Sequence, residues 1–329
     1  MLKIIIHDYA GHPFQFELSK KLSQTFKIYH LYFKNDYGPK ANFTNLNFDN
    51  LNVEGLGENI IYKKSNFVGR FFKDIKYGKI VSNKINEIKP DIVISGNCPT
   101  LSQNIIINSA KRNNSKFIFW IQDFYSEAVE ILLKKKLSIL AFPIYFLFKF
   151  LEKKQLKFSD KLIIISDDFK NKLSKWKINL DNVYYIPNWG NLETIEFYNK
   201  KNTKFLIENN LDPEKFYIMY SGTLALKHNP DLIVKIAELN PDIGVIVVSV
   251  GSGFDELKKK KDIPNNIHLF PIQPFNKINE VLSSTDIFLA ILNNDSSSFS
   301  VPSKILNYLC AGKAIILAAP EENLASKII

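Results

Sequence analysis

Cysteine is almost missing from this chain: Cys98 and Cys310 are the only 2 in 329 residues, far apart and each within apolar sequence. Two such thiols supply neither a disulfide framework nor a zinc spacing, and they predict a reducing, cytoplasmic setting. Histidine is scarce as well. The 5 present, His7, His12, His30, His228 and His268, show no metal-ligand spacing, and neither do the carboxylates, so no metal cofactor is expected. No Ser-His-Asp or Cys-His arrangement for nucleophilic catalysis can be argued. No run reaches the ~20 apolar residues of a membrane-spanning helix. The first residues, Met1-Leu2-Lys3-Ile4-Ile5-Ile6-His7-Asp8, lack the long apolar core of a signal peptide and read as a first strand. Acids are the scarcer sign of charge, 33 against 43 bases, for a formal net charge of +10.

That excess of cations needs a partner. Lys134, Lys135, Lys136, Lys149, Lys153, Lys154, Lys157 and Lys161 flank the most hydrophobic run, Leu137–Phe148. Apolar sequence bounded by lysines suits an interfacial segment on an anionic membrane, which would place the protein on the inner face of the cell membrane. It equally suits a buried helix with lysines at its ends. Nucleic acid is not expected as a partner, because no binding motif accompanies the basic clusters. The run Lys258–Lys261 reads as the solvated end of a short amphipathic helix.

What is abundant is alternation. Hydrophobic residues make up 46% and aromatics 13%, ample for packed cores, and the length suits two domains. Strand patterns at Ile4–His7, Lys27–Phe33, Ile92–Ser95, Phe117–Ile121, Leu162–Ser166 and Val183–Ile186 alternate with helical ones. The helices are expected at Phe14–Ser23, Arg70–Glu87, Leu101–Lys111, Ser126–Lys134 and Phe169–Trp176. Asn35–Asn66 reads as a long excursion with up to two short strands. A polar connector, 188–203, separates this first domain (1–187) from a second α/β series (204–329). That series comprises Phe216–Tyr220, Leu232–Glu238, Val245–Val250, Ile267–Phe270, Ile278–Ser283, Ile287–Leu292, Lys304–Cys310 and Ala314–Ala318. The rhythm predicts two doubly wound parallel sheets, covered on both faces.

The most telling stretch is Ser300-Val301-Pro302-Ser303-Lys304-Ile305-Leu306-Asn307-Tyr308-Leu309-Cys310-Ala311-Gly312-Lys313, between two buried strands. A helix opening with Pro and Ser after a strand and loop presents unpaired N–H groups toward the strand ends. Such an end attracts anions, and Lys304 adds a full positive charge, an arrangement suited to a diphosphate. Gly312 stops the helix. The same pattern also fits an ordinary βαβ unit whose Lys304 is only solvated.

This segment resembles the donor-binding region of retaining glycosyltransferases of family 4, with the two-domain GT-B fold. It is most similar to the colanic-acid, O-antigen and capsule branch, where a string of this kind replaces the usual E-x7-E motif. Tyr220–Pro230, Val248–Gly253, Phe270–Phe275, Tyr185–Trp189 and Gly11–Gln15 agree in order and spacing. The resemblance implies two Rossmann-like domains facing across a cleft, a nucleotide-sugar donor (UDP-linked), and retention at the sugar. It also implies further elements after Ile329, so the second domain reads as truncated.

Candidate residues follow from strand ends, outside which open α/β sheets bind ligands. In the second domain these are Gly222, Gly251 and Gly253, with Ser303 and Lys304 at the helix start. By resemblance, Lys227 contacts the donor diphosphate, Gln273 meets the base, and Asn307 takes the place of a ribose-binding glutamate. Thr223 stands where relatives carry a phosphate-binding arginine, and Phe299 where they carry the earlier glutamate. In the first domain, Gly11 and His12 follow the first strand on the acceptor side, and Asp123 should face the cleft after Phe117–Ile121. His12 and Asp123 are the expected catalytic pair nearest the reacting sugar. Asp167 and Asp168 are expected to cap a helix. The implied reaction moves a sugar to a lipid-linked saccharide acceptor for cell-surface polysaccharide, with electrostatic stabilisation of the departing diphosphate and no cofactor. A sugar-nucleotide 2-epimerase and a non-catalytic partner subunit are the alternatives.

Overall fold

The computed structural model describes residues 1–35, 48–60, 67–96, 98–127, 130, 141–190, 196, 198–225, 228–292 and 304–329. The chain divides into two compact units, Met1–Pro187 and Asn188–Ile329.

The first unit alternates β1 (Lys3–Asp8), α1 (Pro13–Ser23), β2 (Lys27–Phe33), β3 (Leu51–Leu56), α2 (Phe67–Ile88), β4 (Ile92–Gly96), α3 (Thr100–Arg112) and β5 (Lys116–Ile121). It continues with α4 (Ala141–Phe158), β6 (Lys161–Ile164), α5 (Phe169–Lys175) and β7 (Val183–Tyr185). The strands form one parallel sheet in the order β3-β2-β1-β4-β5-β6-β7. Its order reverses between β1 and β4, which makes the carboxyl end of that pair the place where such sheets bind ligands. Ile4, Ile5 and Ile6 are buried together, as expected of a strand covered on both faces.

The second unit contains α6 (Lys204–Glu208), β8 (Tyr217–Thr223), α7 (Pro230–Leu239), β9 (Gly244–Val250), α8 (Ser252–Lys259) and β10 (Ile267–Pro271). After these come α9 (Ile278–Ser283), β11 (Ile287–Ile291), α10 (Lys304–Cys310), β12 (Ala314–Ala318) and α11 (Leu324–Ile328). Its parallel sheet has the order β10-β9-β8-β11-β12, with the reversal between β8 and β11. The period of two along each strand sorts the core into two layers. Tyr217, Met219, Ile246, Val248 and Phe288 pack on one face, and Ile218, Tyr220, Val245, Val247 and Leu289 on the other. Each such burial contributes about 1.5–3 kcal/mol relative to exposure.

Several local expectations need correction. β8 does not end at Tyr220: Ser221, Gly222 and Thr223 pair with Val248, Ser249 and Val250, so their polarity marks a ligand-side strand end rather than a loop. β6 stops at Ile164, because β7 offers partners only to that point. Asp168 is the residue before α5, but its helical backbone (φ −57°, ψ −24°) leaves no side-chain cap. It instead accepts from the Ser166 hydroxyl at 3.3 Å, while Asp167 pairs with Lys170 at 2.7 Å. Part of the stretch read as connector is fastened to the second unit: the Lys200 ammonium donates to both Asp286 oxygens at 2.8 and 2.6 Å. The expected helix Ser126–Lys134 falls largely outside the described residues, although 125–127 are helical. Only β3 is seen within the described part of Asn35–Asn66.

The largest surprise is α4. The lysine-flanked apolar run does not enter the core from Pro143 onward; residues 137–140 lie outside the described ones. Its buried side carries two polar groups beside Leu156: the Gln155 amide donates to the Thr100 carbonyl at 2.7 Å, and Glu152 accepts the N–H groups of Tyr125 and Ser126. Its apolar side faces outward, with Phe146 60% and Phe150 64% exposed beside exposed Ile144 and Leu147.

Candidate functional site

At the reversal point of the second sheet, β11 pairs with β8 only through Ile287↔Ile218 and Phe288↔Met219. Beyond that the strands part, and Ser221 would have a bare backbone edge. The buried Tyr308 of α10 fills the gap. Its hydroxyl donates to the Ser221 carbonyl at 2.9 Å and accepts the Ser221 N–H at 2.8 Å. Its ring stacks on Phe288, centroids 4.1 Å apart and 7° from parallel. Burial pushes the Tyr308 phenol up, so it keeps the proton it donates.

This fastening sets the first residue of α10 over the end of β8. The Lys304 ammonium lies 3.6 Å from the Tyr220 ring centroid and 3.5 Å from the Thr223 carbonyl. Gly222 lies beside it. Its φ of 110° disfavours any side chain, and an added Cβ would come within 3.8–3.9 Å of the Lys304 Cε and Nζ. The result is a cation held against a bare stretch of backbone, which suits an anion. Asn307 lies three residues further along α10 and is half-buried, on the same side as Lys304.

Other candidates separate from this group. A Cβ on Gly251 (φ 124°) would stand 2.7 Å from the Leu224 carbonyl, so that glycine admits the neighbouring loop of its own unit. The N–H groups of Gly253 and Phe254 also go to that carbonyl, at 3.0 and 3.3 Å, which occupies the start of α8. Gln273 follows β10, two strands from β8 or roughly 10 Å, and its amide donates to the Pro271 carbonyl at 2.8 Å. Lys227, Ser303 and Phe299 lie outside the described residues.

In the first unit the reversal point carries an acid. Asp8 ends β1, fully buried, and accepts the Ala10 N–H at 3.2 Å and the His12 N–H at close range. The His12 ring Nδ1 is 3.2 Å from Asp8 Oδ1. Burial alone would raise the Asp8 carboxyl, but the His12 charge and hydrogen bonds outweigh it and hold it below its ordinary value. The turn passes through Gly11 at φ 73°, and Pro13 then starts α1 with its φ already suited to a helix.

Behind Asp8, His7 and His30 are neutral, each lowered to about 4, with burial the main cause. His7 sits between Ser95 Oγ at 2.8 Å and Tyr77 OH at 2.9 Å, and Ser95 donates onward to Gln103 Oε1 at 2.7 Å. These two histidines serve the core. Asp123, half-buried beyond β5, lies at the same sheet edge as His12, with β4 between their strands, roughly 10 Å by ordinary spacing. Among the described residues no group of three or more His, Cys, Asp or Glu could hold a metal ion.

Asp8, Tyr220 and Tyr308 were not among the candidates read from sequence. Asp8 carried one signal, a carboxylate at the end of a buried strand four residues before His12. Tyr308 sat inside the quoted string but looked like core.

No protein-family model matches the chain. It is similar to the colanic acid biosynthesis glycosyl transferase WcaI of Escherichia coli K12, 25% identical over 166 residues, covering 49% of this chain and 40% of that one. It is also similar to the glycosyltransferase MJ1059 of Methanocaldococcus jannaschii, 24% identical over 275 residues, covering 78% of this chain and 65% of that one. The matches thus span less than two thirds of those relatives. Among solved structures, Anabaena HepE in complex with UDP and glucose superposes with a TM-score of 0.69 at 12% identity, covering 100% of this chain and 83% of that one. Sucrose-phosphate synthase from Thermosynechococcus elongatus gives 0.70 at 11% identity, covering 98% and 83%. UDP-N-acetylglucosamine 2-epimerase from Rickettsia bellii gives 0.58 at 10%, covering 96% and 78%. These likenesses show the fold, α/β with two parallel sheets of the GT-B kind.

Proposed function

We propose that the chain is a glycosyltransferase that takes its sugar from a nucleoside diphosphate donor, with the donor diphosphate held on the second unit. The observation that carries this reading is the Lys304 ammonium, fixed by the Tyr308 anchor at the reversal point of the β8 sheet beside Gly222. The likeness to two glycosyltransferases supports it, as does a fold shared with a protein solved with UDP and glucose. In this reading Lys304, Lys227 and Ser303 meet the diphosphate, Asn307 the ribose, and Gln273 the base. Fixed positive charge there would stabilise the charge that develops as the nucleoside diphosphate departs. UDP is the proposed nucleotide, and retention the proposed outcome at the sugar.

The acceptor we propose is a lipid-linked saccharide at the inner face of the cell membrane, in cell-surface polysaccharide assembly. The inverted helix α4 supports this part of the reading. No helix among the described residues is long and apolar enough to cross a membrane. Yet α4 turns Ile144, Phe146, Leu147 and Phe150 outward, alongside Lys149, Lys153, Lys154 and Lys157. Phenylalanine and leucine entering the acyl boundary, with lysines at anionic headgroups, is the interfacial mode of binding. Co-sedimentation with phosphatidylglycerol vesicles, lost in a Phe146→Ser/Phe150→Ser variant, is expected. Equal binding to neutral vesicles would remove the anionic surface.

Thermal unfolding with UDP, GDP and ADP, beside Lys304→Ala, tests the donor site. At 100 times its dissociation constant the right nucleotide adds ~2.7 kcal/mol, and the variant should lose most of that. Stabilisation by none of the three would leave a non-catalytic partner subunit as the better reading.

A further inference from the structure

We infer that His228 is a positioning residue of the donor site. Its neutral ring seats Tyr220 and the turn after β8, and through Tyr220 the Lys304 ammonium. The inference rests on the donor reading of the second unit and deepens it, by giving the histidine near the cation a role that carries no charge.

The tautomer follows from the backbone. The Ala225 N–H points at His228 Nδ1 across 3.1 Å. An amide N–H can only donate, so Nδ1 bears no proton, and the ring is neutral with its proton on Nε2. An imidazolium would set one N–H against another and break this bond. A histidine close to an anion site is ordinarily a candidate for a second cation. Here the Ala225 N–H excludes it.

The same residue fixes the other backbone group of Ala225, whose carbonyl accepts the His228 N–H at 2.9 Å. His228 thus closes the turn twice, once with its main chain and once with its ring. Leu224, just before, is tied to β9 and α8: its N–H donates to the Val250 carbonyl at 3.0 Å, and its own carbonyl accepts from Gly253 and Phe254. Asn229, just after, has φ 46°, a left-handed backbone that costs energy in any residue but glycine and persists where its surroundings enforce it.

From the ring the contacts run to the cation. The Tyr220 hydroxyl lies 3.2 Å from His228 Nδ1 and donates to the Thr223 carbonyl at 2.9 Å. Burial pushes the Tyr220 phenol well up, so it keeps the proton it donates. Lys304 completes the group, its ammonium 3.6 Å from the Tyr220 ring centroid and 3.5 Å from the same Thr223 carbonyl. The ring and the carbonyl that receive the cation are therefore joined by the hydroxyl that His228 adjoins. A shift of that ring moves the seat of the ammonium, because a cation follows the face of the ring that holds it.

Both tests use the full chain. Histidine labelled with 15N is observed by NMR above neutral pH, with and without saturating UDP, and His228→Gln assigns the resonance. The His228 ring is expected neutral with its proton on Nε2 in both states. A proton on Nδ1 would overturn the inference. So would an imidazolium in the UDP-bound chain, which would make His228 a direct charge on the diphosphate.

UDP binding is then measured by calorimetry in wild type, His228→Ala, His228→Asn, Lys304→Ala and the double variant His228→Ala/Lys304→Ala. His228→Ala should bind UDP about tenfold more weakly, whereas His228→Asn, whose side-chain oxygen can accept the Ala225 N–H, should stay within about threefold of wild type. In the double variant the histidine's effect should shrink to about twofold or less, because the ammonium it seats is gone. Unchanged binding in His228→Ala, no rescue by His228→Asn, or full additivity with Lys304→Ala overturns the positioning role and leaves the donor site standing. A wild-type chain that binds none of UDP, GDP and ADP overturns the donor reading, and this inference with it.

Discussion

The two sheets reverse order in the same way, yet their reversal points are furnished with opposite charge. In the first unit the strand end is a buried carboxylate, Asp8, wrapped by backbone N–H groups and an imidazole. In the second it is a glycine-lined strand end with an ammonium, Lys304, resting on an aromatic ring and a carbonyl. The buried anion holds the turn from Ala10 to His12 in place, whereas the ammonium lies over the end of β8. One architecture therefore carries opposite charge at its two reversal points, set by single side chains at the strand ends.

Replacing the central group at each point tests that contrast. The largest effect of a single substitution is expected at the first: Asp8→Ala strips the partner from two N–H groups and the His12 ring, and should destabilise the first unit by about 3 kcal/mol. Denaturant unfolding checks it, and a loss below about 1 kcal/mol would mean the carboxylate is not holding the turn.

Acid should act on the same region next. His7 and His30 have folded values near 4, below the ordinary 6.5, so the unfolded chain binds their protons first. Stability is then full above about pH 6.5 and falls as pH drops toward 4, by on the order of 3 kcal/mol per histidine. Asp8 adds its own loss only below its ordinary value, in a lower window. Unfolding measured from pH 7 to 4 should show the slope, and His30→Gln should roughly halve it.

At the second reversal point, Tyr308→Phe leaves both backbone groups of Ser221 without the hydroxyl and should cost about 2 kcal/mol. It should weaken UDP binding as well, because Lys304 rides on the same helix. Gly222→Ala should cost about 1–2 kcal/mol from its positive φ while meeting Lys304 only at ordinary contact distance. Lys304→Ala is the smallest for stability, about 0.5–1 kcal/mol for the lost cation–π contact, and the largest for nucleotide affinity. If it destabilised the chain as much as Asp8→Ala, Lys304 would be structural and the contrast would fail.

Much of this was legible in the sequence. Runs such as Lys27–Phe33 and Val245–Val250 declare buried strands, and the bounds Lys304–Cys310 and Ala314–Ala318 follow from Gly312 and the apolar run behind it. Gly222 and His12 were singled out because they follow strands, and Lys304 because it opens a helix. What stayed hidden depends on partners distant in sequence. Tyr308 is read as core until Ser221, 87 positions away, proves to need its hydroxyl. Asp8 is merely the acid that ends the first strand until the chain turns back on it at His12. The polar inner face of α4 depends on Thr100, Tyr125 and Ser126, which no helical periodicity can reveal. Gly251 suggested a ligand because glycine permits close approach, but the group that approaches is Leu224 of the same unit.

Amide hydrogen exchange of the full chain, with and without saturating UDP, tests the central claim most directly. UDP should protect amides of Ser221–Leu224 and of the last turn of α10, and leave Tyr9–Phe16 at the β1 corner unchanged. Protection confined to the β1 corner, with β8 and α10 exchanging as before, would contradict the assignment of the anion to the second unit.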